Sequence, residues 1–167
     1  MRFRPFLSRF RIVLAVALLL LAVPAWAADD EEERASLKGV DSCAVVVEGI
    51  PPDAERDGLP RSQLQTEVEV RLRQAGIKVV ASSLYMLYVN VDTLKNNMGS
   101  YAYNIHVSFE QPVTLLRDPK LVQTFATTWS VGSIGTVGSD RLGDVRSDVR
   151  DHVDKFIAAY LEQNSKK

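Results

Sequence analysis

Gly132, Gly135 and Gly138 recur every third residue in TTWSVGSIGTVGSD (127–140), after an apparent strand and before an apparent helix. Glycines so placed can let main-chain N–H groups approach an anion at a helix N-terminus. This makes the three glycines a candidate ligand-binding stretch. The spacing is GxxGxxG rather than GxGxxG, and no Lys-Ser/Thr pair follows it. Asp140 and Asp144 would repel an anion at the helix start. The simpler reading is an edge strand running into a flexible connection that needs glycine's backbone freedom.

Strand arithmetic supplies a second constellation. If two hairpin turns centre near residues 97 and 118, Asn90 or Asp92 comes beside Asn104 and His106. Ser130 then falls opposite His106. Asp92, His106 and Ser130 become a nominal acid, base and nucleophile. They would lie on a flat polar face, with no evident pocket, oxyanion donors or strained nucleophile turn. A row of Asn, His, Ser and Thr is also the wet face of an antiparallel sheet. No catalytic residue is therefore assigned.

Metal chemistry has little to work with. His106 and His152 are the two histidines of the chain. His152 is flanked by Asp151 and Asp154, but a strong site needs more ligands at fixed spacing. It is expected at the surface or its boundary, and neither a metal nor another cofactor is expected. Glu67 and Glu69 are two apart on a helix and do not face each other. Cys43, the single cysteine, excludes an internal disulfide. It precedes Ala44-Val45-Val46-Val47 and reads as a small buried hydrophobe, with no cation nearby to activate it.

The elements that would position these residues follow from periodicity. Cys43 to Ile50 is almost continuously apolar, as a covered strand would be. Ser62 to Ala75 reads as a helix, with Leu64, Val68, Leu72 and Ala75 on one face. Ser62 to Gln65 fits a capping box, and Pro60 could equally be the first helical residue. Gly76 can end the helix in a left-handed conformation. Ile77 to Val80 is a short strand, parallel to the first.

A meander follows. Residues 84–94 put Tyr85, Leu87, Val89 and Val91 on one face, with Met86 and Tyr88 opposite. Residues 101–116 put Tyr101, Tyr103, Ile105, Val107, Phe109, Val113 and Leu115 inward. Asn104, His106, Ser108 and Glu110 face outward. Leu121 to Val131 is expected to bury Phe125 and Trp129. Asp140 to Asn164 is the last helix, with Leu142, Val145, Val149, Val153, Phe156, Ile157, Tyr160 and Leu161 in one stripe. The sum is an α+β two-layer sandwich: a mostly antiparallel sheet of about five strands in the order β-α-β-β-β-β-α, with two helices on one face.

The start of the chain reads as a secretory signal peptide, residues 1–27. Arg2, Arg4, Arg9 and Arg11 precede an apolar run from Ile12 to Val23, and Ala25-Trp26-Ala27 offers a cleavage site. Residues 28–38 are expected to be an acidic flexible segment, a solvated tail or a frayed helical turn. A single α+β domain then spans 39–164. Without residues 1–27 the chain keeps 16 basic and 21 acidic residues. That balance excludes a basic nucleic-acid face. No second stretch is long and apolar enough to span a membrane. The location implied is periplasmic or secreted.

The segments LRQAGIKVV, LYVNV, YAYNI and ATTWSVGSIGTVGS resemble a group of small exported bacterial proteins that are uncharacterised. More loosely, the element order is similar to the amino-terminal domain of the translocation protein TolB and to envelope adaptor lipoproteins. Such domains act by protein contact. The resemblance implies a non-enzymatic accessory or protein-interaction module of the envelope, with an envelope protein as partner. A homo-oligomer is compatible with the same reading. The candidate contact surface is Met86, Tyr88, Asn104 and His106, where exposed Tyr and Met lie on a polar sheet face. The competing reading is a small-molecule binder or hydrolase that uses the 130–140 glycine loop or the His106 face.

Overall fold

The computed structural model describes residues 30–117 and 120–165. The expected signal peptide, residues 1–27, lies outside them. Among the described residues no helix is long and apolar enough to cross a membrane. The elements in chain order are α1 (Glu31–Ala35), β1 (Ala44–Val47), α2 (Pro52–Arg56), α3 (Arg61–Gln74), β2 (Met86–Lys95), β3 (Ser100–Thr114) and β4 (Gln123–Gly138). A 3₁₀ turn (Ser139–Asp144) then leads into α4 (Val145–Asn164).

The fold is α+β, and its sheet has four strands in the order β1-β2-β3-β4. β1 runs parallel to β2, and the other pairs are antiparallel. The fifth strand expected at 77–80 shrinks to one parallel bridge between Cys43 and Val79 on the outer side of β1. β1 therefore takes β2 as its ladder partner rather than residues 77–80.

Strand alternation sorts the core. Val45, Val47, Leu87, Val89, Val91, Ile105, Val107, Phe109, Trp129 and Val131 join one buried cluster with Leu64, Val68 and Leu72 of α3 and Val149, Val153 and Phe156 of α4. α3 packs on β1, and α4 packs on β3 and β4. Both long helices thus cover one face of the sheet. α3 ends as expected, with Gly76 at φ +82°, a conformation costly to residues with a Cβ. The capping box at its start does not form: Pro60 is the N-cap, with no side-chain cap bond. Gln65 instead reaches β1, accepting from the Val47 N–H at 3.2 Å and donating to the Val45 carbonyl at 2.9 Å.

Three further expectations change. A bulge between β3 and β4 inserts Thr128, so Phe109 pairs with Trp129 while Glu110 pairs with Thr127. One extra residue reverses the faces beyond it. Phe125, expected inside, is therefore 50% exposed. Tyr85 lies just before β2 and is also exposed. His152 is buried at 6% exposure, its Nδ1 2.7 Å from the Asp148 carbonyl. It shares the inner side of α4 with Val149, Val153 and Phe156, so position outweighs polarity.

Residues 30–38 are docked. Asp30 caps α1 by accepting from the Glu33 N–H, and Leu37 is fully buried. The Ser36 hydroxyl donates to the Thr128 carbonyl, and Gln111 Nε2 donates to both the Ser36 carbonyl and Thr128 Oγ1. The bulge is thus held by groups on α1 and β3.

Cys43 is buried at the base of β1, and burial pushes its thiol from 9.0 up to about 11. The unfolded chain ionises this thiol near pH 9 while the folded chain keeps it neutral. Its stabilising contribution is therefore full below pH 9 and is lost as pH rises through 11. At pH 8 a thiol-specific disulfide reagent should react with native protein at the rate of unfolding, and rapidly in denaturant. Fast, complete labelling of native protein would contradict this burial.

Candidate functional site

The sheet face opposite the helices is uncovered. Its rungs are read from the register. Leu94, Ala102 and Thr136 align across β2, β3 and β4, followed by Asp92, Asn104 and Ile134. Next come Asn90, His106 and Gly132, and then Tyr88, Ser108 and Ser130. Met86 pairs with Glu110.

The four residues expected as a contact surface, Met86, Tyr88, Asn104 and His106, share this face. The expected acid–base–nucleophile set does not assemble. Ser130 is opposite Ser108, and Gly132 is opposite His106. β3 and β4 pair Val113 with Thr124, one residue off the expected register, and the bulge at Thr128 adds another; together they move Ser130 by two residues along β3, from His106 to Ser108. Asp92 likewise pairs with Asn104, not His106. The grooves along Asn104, His106 and Ile134 on this face are open to solvent.

The glycines take different places from those expected. Gly132, Gly135 and Gly138 lie inside β4, not in a loop before a helix. In an antiparallel ladder their N–H groups alternate between β3 and the outer edge, so they do not converge on an anion. Gly135 has a packing role. A Cβ there would sit 2.5 Å from the Tyr103 ring and hydroxyl. Tyr103 lies across this glycine and donates to Asp148 Oδ2 at 2.6 Å. That bond and burial raise the Tyr103 phenol above its ordinary range.

Electrostatically the face is one-sided. Glu48, just past β1, joins Asp92 and Glu110 as its carboxylates. The residues of β2, β3 and β4 that point this way include no Lys or Arg. Asn90 Nδ2 donates to Glu48 Oε2. Ser108 and Thr127 hydroxyls donate to Glu110 Oε1 at 3.0 and 2.5 Å. Burial, with help from the Glu48 and Glu110 carboxylates, raises the Tyr88 phenol. Tyr88 is therefore a neutral donor at physiological pH.

Beside these carboxylates lies an apolar patch. Leu94 is 73% exposed and Ile134 84% exposed. With Asp92, Ala102, Asn104 and Thr136 they line an open groove of about 620 Å³. Leu94, Ile134 and Glu48 were missed by sequence reasoning. Leu94 and Ile134 fall out of phase with the inward alternation of their strands, and that was the available signal. Among the described residues, no group of three or more His, Cys, Asp or Glu side chains comes together to hold a metal.

No family model matches the chain, and no curated protein does. Among solved structures it is similar to a minor lipoprotein from Acinetobacter baumannii, with 14% identity over 72% of this chain and 90% of that one, and a TM-score of 0.25. A likeness at that level fixes neither fold nor function.

Proposed function

We propose that this chain is a non-enzymatic protein-interaction module of the bacterial envelope, exported by its first 27 residues and acting through the uncovered sheet face. The observation that supports this reading is the composition of that face. An exposed apolar patch, Leu94 and Ile134, sits among Glu48, Asp92 and Glu110, and the β2, β3 and β4 residues that point this way include no Lys or Arg. Exposed apolar groups rimmed by charge mark contact sites on folded domains. The complementary surface carries Lys or Arg around an apolar side chain. A flat face that binds by contact is also in keeping with Asn104, His106 and Ser108 forming a row along β3, with Ser130 on the neighbouring strand, rather than a catalytic cluster.

In-cell crosslinking of the tagged protein, read by mass spectrometry, tests this. The wild type should capture a discrete envelope protein through the β2–β3 face. Asp92→Lys combined with Leu94→Lys should reduce that capture at least about ten-fold, since both changes oppose a basic, apolar partner. Both side chains are exposed, so thermal stability should not change by more than about 0.5 kcal/mol. Unchanged capture by the double variant, or no capture by the wild type, overturns the reading.

A further inference from the structure

The two edges of the sheet are treated differently. The outer main chain of β1 is occupied by Gln65, which bonds Val47 and Val45, and by Arg61 Nε, which donates to the Val47 carbonyl at 2.7 Å. Part of β4 is occupied as well. The Ser36 hydroxyl donates to the Thr128 carbonyl at 3.1 Å, and the Ser130 N–H donates to Glu33 Oε2 at 3.0 Å. Ser130 therefore turns its main chain away from β3. Outward and inward residues alternate along an antiparallel strand, so Gly132, Ile134 and Thr136 face outward too. Among the described residues nothing bonds their outward N–H and C=O groups.

An unprotected edge strand is a template for another strand, and folded proteins commonly block such edges. Here the block stops after Ser130. From Ser130 to Gly138 the sequence is SVGSIGTVG, with no charged side chain.

We infer that the β4 edge is a self-association site, where a second copy of this chain adds its own β4 antiparallel about a two-fold axis at Ile134. In that register Ile134 meets its counterpart, and Gly132 of each copy pairs with Thr136 of the other. All three are outward-facing residues, so their N–H and C=O groups can exchange hydrogen bonds. The same patch serves both copies, as a two-fold interface requires. The charge pattern selects self over a basic peptide. Beyond the signal peptide the chain is acidic, and most surfaces of two copies repel. The uncharged edge opposes no like charges and offers none to a cationic segment. Ile134 loses its exposure by packing against its counterpart on the open face. The product is one continuous eight-stranded sheet.

Sedimentation of the protein in its exported form, from about 1 to 300 µM, tests this in the range where a small interface associates. A reversible monomer–dimer equilibrium is expected. Ile134→Lys should raise its dissociation constant at least about ten-fold, by placing two ammonium groups across the axis. Ile134→Val should keep the dimer. A second readout traps the associated pair covalently. Cys43 is buried, so Ile134→Cys supplies one reactive thiol per chain. A short bis-maleimide should then join two copies at low micromolar protein. Met98→Cys, at an equally exposed side chain on the β2–β3 turn, should not do so. A monomer throughout the range, a dimer indifferent to Ile134→Lys, or equal crosslinking of the two cysteine variants overturns the inference. Ile134 belongs to both surfaces, but Asp92 and Leu94 lie on β2, separated from this edge by β3, so loss of partner capture in their variants with the dimer intact, or the reverse, lets the two proposals fail separately.

Discussion

Replacing Phe156 with alanine should lower stability by about 3–5 kcal/mol, the range for deleting a fully buried aromatic side chain. Phe156 is completely buried on the inner side of α4. Its ring stacks on Phe109 of β3 at 5.5 Å and meets the Trp129 ring of β4 edge-on at 5.3 Å. Tyr160, one turn on, lies at 6.1 Å. Removing the ring therefore breaks the contact that joins the last helix to two strands. It leaves a cavity walled by rigid rings on β3 and β4, which cannot collapse without moving the sheet. Denaturant unfolding should show a lower midpoint with an unchanged slope, since the surface exposed on unfolding is nearly the same. Leu161→Ala is the comparison: it lies on the same helix but is 38% exposed, so it should cost about 1 kcal/mol or less. Equal losses for the two variants would mean that Phe156 does not anchor the helix.

What could be read in advance was local periodicity. The stripe from Val145 to Tyr160 and the alternation from Leu87 to Phe109 each repeat at the period of their element, and burial follows them. What could not be read was set by remote groups. Phe125 left the core because Thr128 is bulged, and Thr128 is held by Ser36 and Gln111. Neither partner is near it in sequence. That bulge and a one-residue offset already present at Val113 and Thr124 together moved Ser130 from His106 to Ser108 and dissolved the apparent triad. His152 was legible by spacing, since it follows Val149 by three, but its polarity and acidic neighbours argued for the surface. The candidate face was half legible. Met86, Tyr88, Asn104 and His106 came from alternation, whereas Leu94 and Ile134 are exceptions to it.

Leu37→Ala should cost about 2–5 kcal/mol, although Leu37 follows five acidic residues and sits in a segment whose composition suggests a solvated tail. Net charge outvotes a single leucine in any window average, yet Leu37 is fully buried and Val40 nearly so. Around them the chain is tied to α4 at several points. Arg34 pairs with Glu162 at 2.8 Å. Asn164 accepts from the Gly39 N–H and donates to the Leu37 carbonyl, and the Tyr160 hydroxyl donates to the Val40 carbonyl at 2.6 Å. The ion pair is exposed and contributes little, so Leu37 carries most of the docking. Its loss should also loosen α1 over β4, because Ser36 and Glu33 reach Thr128 and Ser130 only while the segment is seated. Amide hydrogen exchange at Ser130 should therefore accelerate in Leu37→Ala while the β2–β3 amides stay protected. Glu31→Gln, on the exposed side of α1, should change neither stability nor exchange. If Leu37→Ala is as mild as Glu31→Gln, the segment is a tail after all. If it behaves as argued, this segment completes the core and decides where the free edge of β4 begins.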